Sequence, residues 1–77
     1  MNKSVVVGYK EITSKKSGDK FVELYLVTDD QYITGQRVES VFVREENIEN
    51  LDILDVGVNC QVYYNRFGRA ASVSLYG

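Results

Sequence analysis

Apolar and polar residues alternate along much of this chain, and the alternation changes character only once. Ser4 to Thr13 is β-branched and aromatic with no helical spacing, which predicts a first strand, with Gly8 marking a bulge or bend. Ser14 to Lys20 is polar, contains Gly18 and carries three lysines, the composition of a turn. In Phe21–Thr28 the period is two. Val22, Leu24 and Leu26 fall on one face, assigned to the core, and Phe21, Glu23, Tyr25 and Val27 on the other. Residues 29–35 read as a loop and Gln36 to Arg44 as a third strand. The consecutive Val41, Phe42 and Val43 imply either two buried faces or a bulge that shifts the register. Val58 to Asn65 predicts a fourth strand with Val58, Cys60, Val62 and Tyr64 inward and Asn59, Gln61 and Tyr63 outward. Ala71, Val73 and Leu75 supply the core face of a fifth.

Glu45 to Asp55 breaks the pattern. Ile48, Leu51 and Leu54 recur at three-residue spacing, acids occupy the first turn and Gly57 follows, which predicts a short acid-rich helix. The order is strand, strand, strand, helix, strand, strand, in a single domain spanning residues 1–77. A sheet of five strands in so short a chain avoids exposed edges by curling into a barrel capped by the helix. The expected fold is therefore mostly β, a small five-stranded OB-fold barrel with its helix between strands three and four.

Composition narrows the function. The one cysteine, Cys60, excludes an internal disulfide, and without histidine no zinc set can be assembled. No Gly-x-Ser-x-Gly and no phosphate loop is present, and the carboxylate pairs Asp29–Asp30 and Glu45–Glu46 are adjacent, as in solubility and capping roles, so neither an enzyme nor a metal or cofactor is expected. Met1-Asn2-Lys3-Ser4 is followed by only three apolar residues, too few for a signal segment, and no run reaches membrane-spanning length; a cytoplasmic protein is expected, with no membrane and no small-molecule substrate as partner. The net charge is −2, but five of the eleven acids lie between Glu45 and Asp55, and the remainder of the chain carries a balance of +3. Either the acidic stretch is a face turned away from an anionic ligand, or the protein repels nucleic acid altogether.

Bases and rings interleave on the outward faces and turns: Lys15, Lys16, Lys20, Phe21, Tyr25, Arg37, Phe42, Arg44, Tyr63, Arg66, Phe67 and Arg69. Rings stack on bases and cations attract phosphates, so this set predicts a site for single-stranded DNA, with RNA as an alternative ligand. The tyrosines can equally be cross-strand pairs. Phe67 at a hairpin tip beside Gly68 has no such role in folding. A module that binds another protein uses the same residue types, and a dimeric barrel with no nucleic-acid ligand is the competing expectation.

Four local patterns are similar to the small single-stranded DNA-binding (helix-destabilising) proteins of filamentous phages and related mobile elements. Lys16-Ser17-Gly18 followed by Lys20-Phe21 resembles that family's basic first hairpin. Val41-Phe42-Val43-Arg44 resembles its third-strand apolar run closed by a base. Gly57 with the strand after it resembles the approach to its last hairpin, and Arg66-Phe67-Gly68 the Phe-Gly tip of that hairpin. The resemblance spans most of the chain in element order. It implies stacking by Phe21 and Phe67, phosphate contacts from Lys16, Lys20 and Arg44, and a homodimer that coats single strands during replication. The chain departs from the family in its shorter first hairpin and in Ser72, Val73 and Ser74, where the family's last strand carries arginine.

Overall fold

The structure, a computed structural model, describes residues 4–77; the polar start at Met1–Lys3 lies outside them. Among the described residues six strands form one mixed sheet: β1 (Ser4–Thr13), β2 (Lys20–Asp29), β3 (Gln36–Arg44), β4 (Ile48–Glu49), β5 (Asn59–Tyr64) and β6 (Ala70–Tyr76). Their order is β3-β2-β1-β5-β6-β4. All neighbours are antiparallel except β4 and β6, which run parallel.

The expected five-stranded closed barrel with a helix is corrected on both counts. No ladder joins the two edge strands, β3 and β4. They are nevertheless consecutive in the chain, separated only by Glu45–Asn47, and so few residues span at most about 14 Å. The sheet is therefore rolled but open. One cluster of buried side chains draws on all six strands, from Val6, Leu24 and Leu26 to Val43, Ile48, Cys60, Val62, Val73 and Leu75. Ser4 and Thr28, buried at the rim of this core, satisfy each other through a 2.7 Å hydroxyl–hydroxyl bond.

In place of the helix are two single 3-10 turns, Glu45–Asn47 and Leu51–Ile53, on either side of β4. The apolar spacing of three suits a 3-10 turn better than an α-helix, and the acids have no bases at helical spacing to pair with. Ile48 opposes Val73 instead, and Asn50, left-handed at φ 63°, donates through Nδ2 to the Leu75 carbonyl at 3.0 Å. Asparagine tolerates this conformation and so ends the strand where it stands.

Two bulges set which side chains point inward. Val6 opposes Leu26 and Gly8 opposes Tyr25, leaving Val7 as the extra residue of β1. In β6 the extra residue is Ala71, since Tyr63 opposes Ser72 and Tyr64 opposes Ala70. Ala71 and Tyr64 were expected in the core. The bulge turns Ala71 out, while Tyr64 keeps the alternation of Cys60 and Val62 but is 48% exposed at the end of β5. The ambiguity in β3 resolves without a bulge. Its ladder with β2 is continuous, Val41 and Val43 are buried, and Phe42 points outward, half exposed.

Cys60 is fully buried, and burial, with a smaller contribution from Glu39, pushes its thiol up from 9.0 to about 11. Because the folded value is the higher one, the associated stability is complete below pH 9 and is lost as pH rises toward 11. At 1.36 kcal/mol per pKa unit the loss is about 2–3 kcal/mol. Urea melts of wild type and Cys60→Ala at several pH values check this: the wild type should lose stability faster between pH 9 and 11, and parallel curves would refute the assignment.

Candidate nucleic-acid interface

The registers assemble a three-strand outward face on β1, β2 and β3. Ile12, Phe21 and Arg44 form one cross-strand row, Lys10, Glu23 and Phe42 the next, and Gly8, Tyr25 and Ser40 the third. Phe21 and Phe42 are diagonal neighbours across the β2–β3 ladder, within reach of each other for rings. Their centroids lie 5.0 Å apart at 15°, a stacked pair. The guanidinium carbon of Arg44 sits 5.2 Å from the Phe21 ring centroid, so the ring's negative face holds the cation. Tyr25 is half exposed and donates to Glu23 Oε1 at 2.6 Å; that bond, with the desolvation and the negative charge that come with it, holds the phenol above its ordinary pKa.

The charges around this face are mixed. Arg44 Nη1 donates to Asp19 Oδ2 at 3.1 Å and lies 3.9 Å from Glu46. The open cleft beside it, about 550 Å³, sets Asp19, Glu45 and Glu46 against Lys20 and Arg44. The turn carrying Asp19 is closed by Gly18 N donating to the Ser14 carbonyl and Ser14 N to that of Asp19, both at 2.8 Å. Lys15, Lys16 and Lys20 are exposed here, and among the described residues none forms an ion pair. Lys20 shares the alternation of Val22, not of Phe21, so it stands at the rim of the opposite face.

The second basic and aromatic group is the β5–β6 hairpin. Gly68 N donates to the Asn65 carbonyl at 3.0 Å, Asn65 N to the Arg69 carbonyl at 2.8 Å, and the Asn65 Oδ1 accepts from Phe67 N and Arg69 N. With Gly68 at φ 78° and no positive φ at Arg66 or Phe67, this is a type I turn closed by a glycine bulge. The side-chain bonds of Asn65 stiffen it, as Asx turns do. It holds Phe67 out in solvent, 74% exposed, with the Arg66 guanidinium carbon 5.0 Å from the ring centroid. Tyr63 is exposed on the outward face of β5 and Arg69 is exposed at the turn.

The structure does not bring this hairpin into contact with Phe21 and Lys16. Tyr64 at its base donates to the Glu39 carboxylate at 3.3 Å, which places it at the middle of β3. That is about 17 Å from Arg44, at ~3.3 Å per strand residue. Burial and Glu39 both raise the Tyr64 phenol pKa. Arg37 lies on the inward alternation of β3 with Glu39, 3.6 Å from it and 4.0 Å from Asp30, and so does not join the Phe21 face. The predicted residues thus fall into two groups: Phe21, Tyr25, Phe42 and Arg44 with the nearby lysine turn, and Tyr63, Arg66, Phe67 and Arg69 on the hairpin.

Comparison with family models, with curated proteins and with solved structures found no match. The functional reading therefore rests on side-chain geometry alone.

Lys10 is the one base on the outward face that the sequence pattern missed. Simple alternation from the buried Val6 assigns Lys10 to the core side. The extra residue Val7 reverses the alternation, so Lys10 stands outward opposite Glu23, in the same row as Phe42 with β2 between them. Gly8 marks the irregularity in the sequence, and the register shift falls beside it, but which neighbouring residue is unpaired is revealed only by the pairing with β2.

Proposed function

We propose that the chain binds single-stranded nucleic acid, DNA in preference to RNA, without sequence specificity, and does so as a homodimer. The carrying observation is a pair of preassembled ring and guanidinium units, Arg44 over a partly buried Phe21 and Arg66 over an exposed Phe67. Each sets a flat apolar surface for a base beside a cation for its phosphate. The Phe21–Phe42 stack alone is explained by the roughly 0.5–1.5 kcal/mol that such a pair adds to a sheet. The Phe67 ring, held out on a stiff turn, adds nothing to the core. We read the rolled, open sheet as an OB-like scaffold, in which the outward face of the second and third strands and the last hairpin carry the ligand. Replication of a phage or mobile element, in the cytoplasm, is the process this reading implies.

Fluorescence anisotropy of labelled oligo-dT at low salt tests it. Binding should be tighter than to duplex or to the matching RNA, and its logarithm should fall linearly with the logarithm of salt concentration, with a slope of about −2 to −4 for three to five phosphate contacts. Equal affinity for duplex, or a flat salt dependence, refutes the proposal.

A second reading, a module that docks another protein, is favoured by one observation: Val38 is 71% exposed on the outward face of β3, in a cross-strand row with Val5 and Val27. A mainly apolar protein complex keeps its affinity as salt rises, and the same titration series separates the two.

A further inference from the structure

β3 is an edge strand of nine residues with no proline, no lysine and no bulge in its ladder with β2. Among the described residues, no backbone hydrogen bond other than the β2 ladder reaches Gln36–Ser40. Long open edges recruit other strands unless they are blunted. The charges on this half, Arg37 and Glu39, are of opposite sign and flank the exposed Val38. Within the chain the two pair with each other at 3.6 Å, and further with Asp30 and Tyr64, so an added strand has to accommodate both charges. A strand that offers Glu opposite Arg and Arg opposite Glu satisfies both at once, and the chain itself holds such a strand.

From this self-complementarity we infer that Gln36–Ser40 of β3 docks against the same segment of a second copy of this chain, antiparallel about a two-fold axis at Val38. A two-fold perpendicular to the sheet keeps outward residues opposite outward residues, so only registers centred on a residue are available. Centring on Glu39 or Arg37 opposes like charges across the axis, which destabilises. Centring on Ser40 sets Arg37 against Val43 and Glu39 against Val41. Centring on Val38 sets Arg37 against Glu39 twice, Gln36 against Ser40 and Val38 against Val38. The same register joins the row Val5, Val27, Val38 of one copy to that of the other, forming one apolar strip across six strands. The Phe21, Phe42 and Arg44 groups of the two copies then stand on one continuous outward face, to either side of the axis. This supplies the interface for the homodimer proposed above and does not depend on nucleic-acid binding.

Sedimentation equilibrium without nucleic acid, from about 1 to about 200 µM chain, tests it. The wild type should shift from monomer to dimer with concentration, and Val38→Lys should be monomeric with an unchanged far-UV spectrum. Arg37→Glu and Glu39→Arg should each weaken the dimer about tenfold or more, since each opposes like charges twice. The double variant R37E/E39R restores the complementarity and should restore the dimer. A wild type that stays monomeric, a dimer indifferent to Val38→Lys, or a double variant no better than the singles overturns the inference. Because no oligonucleotide is present, failure of nucleic-acid binding leaves this result readable.

Discussion

Replacing Phe21 and Phe67 together by alanine is expected to weaken binding to oligo-dT by about 30-fold to 10⁴-fold, from roughly 1–3 kcal/mol per stacked base. Phe21 lies under Arg44 and against Phe42, so its loss removes a stacking surface and frees the guanidinium to Asp19 and Glu46. Phe67 touches none of these groups; its partner is Arg66. The base of the Phe67 hairpin, at Tyr64, meets β3 at Glu39, about 17 Å from Arg44 at strand spacing, beyond the distance at which substitutions usually couple. The single variants should therefore multiply to give the double, with thermal melts showing Phe67→Ala neutral and Phe21→Ala slightly destabilised by the lost ring pair. Anisotropy on all four proteins decides. Wild-type affinity in the double variant eliminates ring stacking as the mode of binding, and marked non-additivity means that both rings contact the same nucleotide.

Leu24→Ala should remove a large share of the chain's stability at 25 °C. Leu24 is completely buried at the centre of β2, between β1 and β3. Truncation of such a leucine costs about 3–5 kcal/mol, because the cavity only partly collapses. A domain of this length has a stability of about 4–12 kcal/mol, so one side chain is a large share of the whole. Urea melts should show the midpoint falling by a third or more at constant slope. Val38→Ala, on the exposed face of the neighbouring strand, should shift it little. A Leu24→Ala midpoint near wild type would mean that the core is not where the structure places it.

Much of the frame was legible in the residues themselves. The period of two in Val22, Leu24 and Leu26 identified the inward face of β2, and the bounds of β3 followed from Gly35 before it and Glu45-Glu46 after it. The chemistry of the candidate site was legible too, since a ring between arginines at a hairpin tip is conspicuous wherever the hairpin lies. The arrangement of that chemistry was not. Phe21, Phe42 and Arg44 come from two strands, and their stacking depends on the β2–β3 register. Arg37 and Lys20 carry the right charge on the wrong alternation.

The misread helix has the same origin. Ile48, Leu51 and Leu54 offer a local pattern that fits a helical stripe, whereas the competing structure draws its hydrogen bonds from Val73, Ser74 and Leu75, distant in the chain. A local pattern carries no information about a partner that far away. The bulges at Val7 and Ala71 act likewise: one extra residue reverses the faces beyond it, turning Lys10 outward in β1 and exposing Ala71 in β6. Side-chain polarity along the chain thus specifies a β protein, its inward valines and leucines and the residue types of its surface, because burial is decided residue by residue. Which strands meet, which residue is left unpaired and which rings and cations share a face depend on pairing between distant segments, and only the folded sheet settles them.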